Sequence, residues 1–194
     1  MVPLPSHVPV DIPDGVSGDW SVRTFTVTKQ DEELGRIRSI FSSSSRGRYV
    51  PAGTYKGLYH HNRVVMSNTP DEIRDHASIF YRARGSVLVN GLGLGVILKM
   101  ILEKPKGPEW VQHVTVVEIS KDVINLVAPH IQAAYSSRVT VIESDAFTYK
   151  PVSKYDAVWH DIWNDICDDN RKEMGRLHRK YARRCTWQGS WSRG

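Results

Sequence analysis

Three glycines at alternate positions, Gly91-Leu92-Gly93-Leu94-Gly95, stand where one apolar run ends and another begins. Glycines so spaced permit a tight turn and let a ligand approach the backbone closely. A helix opening directly after the turn would offer free N–H groups to a polar or anionic ligand. The turn is not the dinucleotide fingerprint, because Val96 occupies the place of its third glycine, and the phosphate-loop pattern is also absent. Three acids recur downstream in comparable settings. Glu118 closes the run Val116-Val117, Asp145 follows Arg138 to Ile142, and Asp161 follows Ala157-Val158-Trp159. A carboxylate about twenty residues past such a turn can accept hydrogen bonds from both hydroxyls of a ribose. One at Asp145 can receive the amino group of a purine, and Asp161 holds the corresponding place after the fourth apolar run.

These groups converge only if each apolar run is a strand of one parallel sheet, whose ligands lie outside the carboxyl ends of the strands. The spacing predicts that arrangement. Ser86 to Asn90, His113 to Ile119, Arg138 to Ile142 and Tyr155 to Trp159 read as strands. Between them Val96 to Leu102 reads as a helix stopped by Pro105 and Gly107, and Lys121 to Tyr135 as a helix bent or broken at Pro129. Asp165 to Arg184 reads as a last long helix, packed through Ile166, Met174, Leu177 and Tyr181. The fold class expected is α/β: a Rossmann-like, open, mainly parallel sheet with helices on both faces, C-terminally short.

Upstream the patterning differs. Prolines at 3, 5, 9 and 13 predict an extended arm over residues 1–20. Residues 21–70 read as a small β-rich region: a strand in SVRTFTVTKQ, a partner over Arg36 to Phe41, a loop at Ser42 to Gly47, and paired strands over Tyr55 to Ser67 turning at His61-Asn62. Thr69 and Pro70 predict the capped start of a helix running to about Tyr81. Residues 71–194 then form the ligand-binding domain.

Residues 86 to 165 resemble the cofactor half of class I S-adenosylmethionine-dependent methyltransferases, and more narrowly the spermidine synthase branch. The resemblance rests on the glycine turn with Val89, not an acid, two residues before it, on Val117-Glu118-Ile119-Ser120, and on Ser144-Asp145-Ala146-Phe147. Asp71-Glu72-Ile73-Arg74-Asp75-His76 echoes that branch's D-E-F-x-Y-H, with Asp75 in place of the tyrosine. After Asp161 the chain reads Ile162-Trp163-Asn164-Asp165, where aminopropyltransferases carry D-S-x-D-P. The resemblance implies S-adenosylmethionine as cofactor. Gly91, Gly93 and Gly95 would lie under its amino-acid part, Glu118 on the ribose and Asp145 near the adenine, with Asn90, Leu92, Ile119 and Ala146 completing the set. Asp161 would stand beside the sulfonium as a cofactor-binding and catalytic residue. His76, Trp163 and Asp165 are the implied substrate contacts, and the acceptor is a small molecule or amine. Methyl transfer is the first expectation and aminopropyl transfer to a polyamine the alternative. The short C-terminus motivates a third, a non-catalytic binder or scaffold, in which a homodimer through the N-terminal β region could supply the missing cover.

Composition narrows the setting. The chain has 194 residues, 40% hydrophobic and 24% charged, which suits a globular α/β domain. No run approaches the length of a membrane span and the N-terminus lacks signal-peptide features, so a cytoplasmic protein without membrane contact is expected. Cys167 and Cys185 read as reduced thiols. The net charge of +5 is concentrated in Arg171, Lys172, Arg176, Arg179, Lys180, Arg183 and Arg184. Such a stripe could attract nucleic acid, but it reads first as a solvated helix face. His60-His61 is a candidate metal pair without a third ligand at the usual spacing, so no metal is expected. Trp159 and Trp163 could wall a pocket, and Trp187 and Trp191 could cover the sheet edge or a partner.

Overall fold

The structure, a computed structural model, describes residues 2–41, 48–108, 110–163 and 168–191. Its N-terminal part is an antiparallel sheet of β1 (Gly15–Ser17), β2 (Trp20–Val27), β3 (Gly53–His60) and β4 (Arg63–Ser67), paired in that order. The hairpin between β3 and β4 turns at His61 and Asn62, both in the left-handed region at φ 46° and 66°. Two left-handed residues match the twist of the flanking strands, which is why the two-residue turn forms there. The segment read as an arm thus ends in a strand, and before β1 it is irregular. Val8 and Ile12 are buried in the core, and Asn68 Nδ2 donates to the Val8 carbonyl at 2.9 Å.

One expected strand is a helix. Residues Lys29–Phe41 form α1, not a strand over Arg36 to Phe41. Its start is locally encoded: Asp31 Oδ2 accepts from Thr28 N at 2.9 Å and Thr28 Oγ1 at 2.7 Å, while Asp31 N donates to Thr28 Oγ1 at 3.2 Å. This reciprocal box satisfies donors that a helix start otherwise leaves free, and it outweighs the alternation in RIRSIF. A second expected helix is two short ones, α2 (Pro70–Asp75) and α3 (Ala77–Arg82), separated at His76 (φ −95°, ψ 10°). Thr69 sits at the cap position but makes no side-chain cap bond; its hydroxyl pairs with Ser67 Oγ at 3.0 Å.

The second sheet is parallel, in the order β7 (Val139–Glu143), β6 (Val111–Glu118), β5 (Gly85–Asn90), β8 (Tyr155–His160), β9 (Cys185–Ser190). Helices α4 (Val96–Leu102), α5 (Lys121–Tyr135) and α6 (Asp168–Tyr181) connect it, and α5 continues through Pro129. Asp165 and Ile166 lie outside the described residues. Strand β9, which follows α6 and pairs with β8, was not among the expected strands. Both faces of the sheet are covered, so its central strands β5 and β8 are buried along most of their length. Val87, Val89, Val116, Ala157 and Trp159 belong to one core, with α4 and α5. Leu88, Val117 and Val158 face the other way onto Met174, Leu177 and Tyr181 of α6. No helix among the described residues is long and apolar enough to cross a membrane.

Candidate functional site

The strand order reverses direction between β5 and β8, the place where such sheets open a crevice. The backbone shows the opening. Asn90 O accepts from Asp161 N at 2.8 Å, whereas Gly91 N turns the other way to Val117 O at 2.8 Å. Gly91 lies at φ 100°, and a Cβ there would stand 2.1 Å from the Asp161 carbonyl oxygen. Glycine is therefore required where the two strand ends part. Gly93 (φ 51°) is required by an intruder from the other sheet: Met66 Sδ would be 2.3 Å from its Cβ, and Leu94 N donates to that sulfur at 3.3 Å.

Above this turn is a cavity of about 360 Å³, within the size range of small-molecule sites. Of the residues singled out in the sequence, Gly91, Gly93, Glu118, Ile119, Asp145, Ala146, Asp161 and Trp163 line it. Glu118 is 9% exposed and held from two sides, Oε2 accepting from Leu92 N and Oε1 from Ser120 N, each at 2.8 Å. Both bonds come from the backbone, so the carboxylate is fixed while further lone pairs remain available. Asp145 Oδ1 accepts from Phe147 N at 2.8 Å, which shapes the loop that carries Ala146. Lys180 Nζ donates to the Ala146 carbonyl at 2.8 Å and Arg176 lies 4.8 Å over the Phe147 ring. Two of the basic residues on α6 thus brace the site. Trp163 donates through Nε1 to Glu173 Oε2 at 2.7 Å.

Other expected residues lie elsewhere. Asn90 is fully buried and its Nδ2 meets His160 Nδ1 at 2.7 Å, beneath the cavity on the α6 side. Leu92 and Gly95 serve the loop's packing, Gly95 (φ 71°) lying against Ile131. Asp165 is outside the described residues. His76 is buried behind the cavity, edge-on to Trp159 at 6.1 Å.

Electrostatically the acid end is distinctive. Burial, then the charges of Glu72 and Asp75, push the Asp161 carboxyl up to about 8. Burial and Asp75 likewise push Glu72 up to about 7, against the pull of Arg48. Arg48 is engaged elsewhere, its guanidinium 2.5 Å from Asp75 Oδ2. His76 Nε2 lies 3.8 Å from Asp161 Oδ2, but burial holds the imidazole down at about 4. At neutral pH the two are therefore a neutral ring and a largely protonated acid, not an ion pair. The distance is too long for a hydrogen bond, and Asp161 Oδ2 is a buried acceptor without a partner. Such an atom is costly to leave unsatisfied.

The sequence did not reveal the cavity's other wall. Trp20, Leu58, Val65 and Met66 from the antiparallel sheet, Glu72 from α2 and Trp191 after β9 complete it. Glu72 carried a signal in the Asp71-Glu72 pair; the others are placed by tertiary packing alone.

No family model matches this chain, and no curated protein matches it. Several solved structures overlap it in part. An S-adenosylmethionine-dependent methyltransferase from Clostridium acetobutylicum is 10% identical, with 59% of this chain and 44% of that one covered and a TM-score of 0.43. The putative methyltransferase yhhF from Escherichia coli is 13% identical over 60% and 63% of the two chains, at a TM-score of 0.44. The glycopeptide N-methyltransferase MtfA complexed with S-adenosylmethionine is 19% identical over 58% and 47%, at 0.42. This chain spans less than two thirds of the length of each.

Proposed function

We infer that the chain is an S-adenosylmethionine-dependent transferase of the spermidine synthase-like branch that acts on an amine, with methyl transfer the leading reaction. The single observation that carries this is the crevice at the strand reversal. There a glycine turn with no room for a Cβ at Gly91, a fixed buried Glu118 and the buried acid Asp161 line one cavity. The residues fit the cofactor. Gly91 and Gly93 would admit its amino-acid part against the backbone, Glu118 would accept from the ribose hydroxyls, and Asp145 with Ala146 would border the adenine. The cofactor supplies an electrophilic carbon on a sulfonium. In their ionised forms Asp161 and Glu72 would hold a protonated amine acceptor and take its proton, freeing the nitrogen lone pair; Trp163 and Trp191 would keep water away. The acid cluster of Glu72, Asp75 and Asp161 also favours a second reading, aminopropyl transfer to a polyamine. A homodimer through the N-terminal β region is supported by the exposed Leu34, Ile37 and Ile40 of α1, and sedimentation measures it.

Calorimetry tests the cofactor. S-adenosylmethionine or S-adenosylhomocysteine should bind, with neither NAD nor ATP competing strongly. Tight NAD binding with no response to S-adenosylhomocysteine would overturn the reading. Mass spectrometry of incubations with amines then separates the reactions: a methylated acceptor, methylthioadenosine, or unchanged cofactor point to methyl transfer, aminopropyl transfer and passive binding.

A further inference from the structure

Among the described residues, one group of side chains outside the cavity has metal-ligand chemistry. Asp19, His60 and His61 bring one carboxylate oxygen and two imidazole nitrogens within 4.8 Å of one another. The histidines are neighbours in sequence, but the carboxylate comes from the turn between β1 and β2, far upstream. Strand pairing brings it there: Trp20 is in register with His60, which sets the two turns side by side, and His61 N donates to the Asp19 carbonyl at 3.0 Å.

Three features hold the ligands ready. His61 is fixed in a left-handed turn position at φ 46°. The His60 ring is stacked on the Trp20 indole, centroids 4.4 Å apart and planes at 18°, and the two imidazoles lie with centroids 4.3 Å apart. His61 Nε2 and Asp19 Oδ2 stand at 3.6 Å, close to the roughly 3.4 Å that two ligands subtend on tetrahedral zinc with bonds of about 2.1 Å. The carboxylate and His61 are well exposed, so an ion can enter without unfolding anything.

We propose that Asp19, His60 and His61 form a binding site for a divalent transition ion, Zn2+ first among them. Two imidazoles and one carboxylate suit a borderline ion rather than Mg2+ or Ca2+, which prefer oxygen donors. Three protein ligands leave a fourth position to solvent, as in open zinc sites. The ion staples the β1–β2 and β3–β4 turns together. Since His60 lies against Trp20, and Trp20 lines the cavity, it also fixes one part of the cavity wall. This inference is independent of the reaction assigned to the cavity.

The test is a titration of the chelator-treated full chain with Zn2+ by calorimetry, and with Co2+ by visible absorption, whose intensity reports a four-coordinate site. One ion per chain is expected, with the absorption of tetrahedral Co2+. His61→Ala and Asp19→Asn, both at exposed turn positions, should each weaken binding by at least about tenfold, since even residues behind the ligands change metal affinity by that much. His7→Ala, an exposed histidine elsewhere, should change nothing. Mg2+ should not compete. The proposal is overturned if Zn2+ does not bind, or if both turn variants bind it as the wild type does. It is equally overturned if His7→Ala weakens binding as much as they do. In any of those cases Asp19, His60 and His61 are only neighbouring side chains on the surface.

Discussion

At the scale of single residues, the two acids with proposed roles differ in how they are held, and the predictions follow from that difference. Glu118 is fixed by two backbone donors, so its ribose contacts would be pre-organised. Charge-assisted bonds of this kind contribute about 1.5–3 kcal/mol each. Glu118→Ala should weaken S-adenosylhomocysteine binding by at least about tenfold in calorimetry while a folded spectrum is kept; unchanged affinity would place the ribose elsewhere. Asp161 is instead unpartnered and raised to about 8. A carboxyl whose folded pKa exceeds its unfolded value adds stability at acid pH and loses it as pH rises through the folded pKa. Asp161→Asn has no such titration. Urea unfolding should therefore show the variant gaining on the wild type between pH 4 and pH 8, by on the order of a few kcal/mol. A difference that stays constant with pH would mean the carboxyl is not perturbed. Turnover of an amine substrate should fall by about a hundredfold in Asp161→Asn, and the wild-type rate should climb toward pH 8 as the acid ionises. These two acids were visible in the sequence because both end apolar runs. The unusual state of Asp161 was half visible: its own burial could be guessed from Trp159, but the charges of Glu72 and Asp75 come from another element.

At the scale of elements, legibility tracked how local the cause was. Strands β5, β6 and β8 and helix α4 are encoded by short apolar runs next to glycines, and the sequence placed them to within a residue or two. Helix α1 departs from the expected strand because a four-residue box at Thr28–Asp31 decides it, while the following residues alternate like a strand. Strand β9 was missed because Cys185–Ser190 contains a single strongly apolar residue, Trp187, and is stabilised by its pairing with β8. The junction of β5 and β8 offers an element-level test. Gly91→Ala introduces a Cβ against the Asp161 carbonyl at a left-handed position, so it should destabilise the fold by about 2 kcal/mol or more in denaturant melts. It should also abolish cofactor binding. A variant as stable as the wild type would show that the strand ends can part further than described.

At the scale of the whole molecule, the two sheets share one cavity, which no segment of the sequence announces. Met66 reaches from β4 into the glycine turn, and Ser17 Oγ donates to Asp122 Oδ1 at 2.7 Å, tying β1 to α5. A ligand there stabilises both sheets together. At a hundredfold excess over Kd, S-adenosylhomocysteine should add about 2.7 kcal/mol, a rise in melting temperature of about 5–10 °C for a chain of this size. The transition should stay single, and the shift should vanish in Glu118→Ala. Two transitions, with only one moved by the ligand, would mean that the sheets unfold independently.

The cavity draws Trp20, Trp163 and Trp191 from three separate parts of the chain, half of its six tryptophans. Trp159, by contrast, is sealed in the core. The molecule therefore carries its own unlabelled optical probe: a ligand entering the crevice displaces water from three indoles at once, while the sealed ring supplies a constant background. Following emission intensity and wavelength during mixing would then time ligand entry directly, without a dye, a radioactive donor or knowledge of the acceptor.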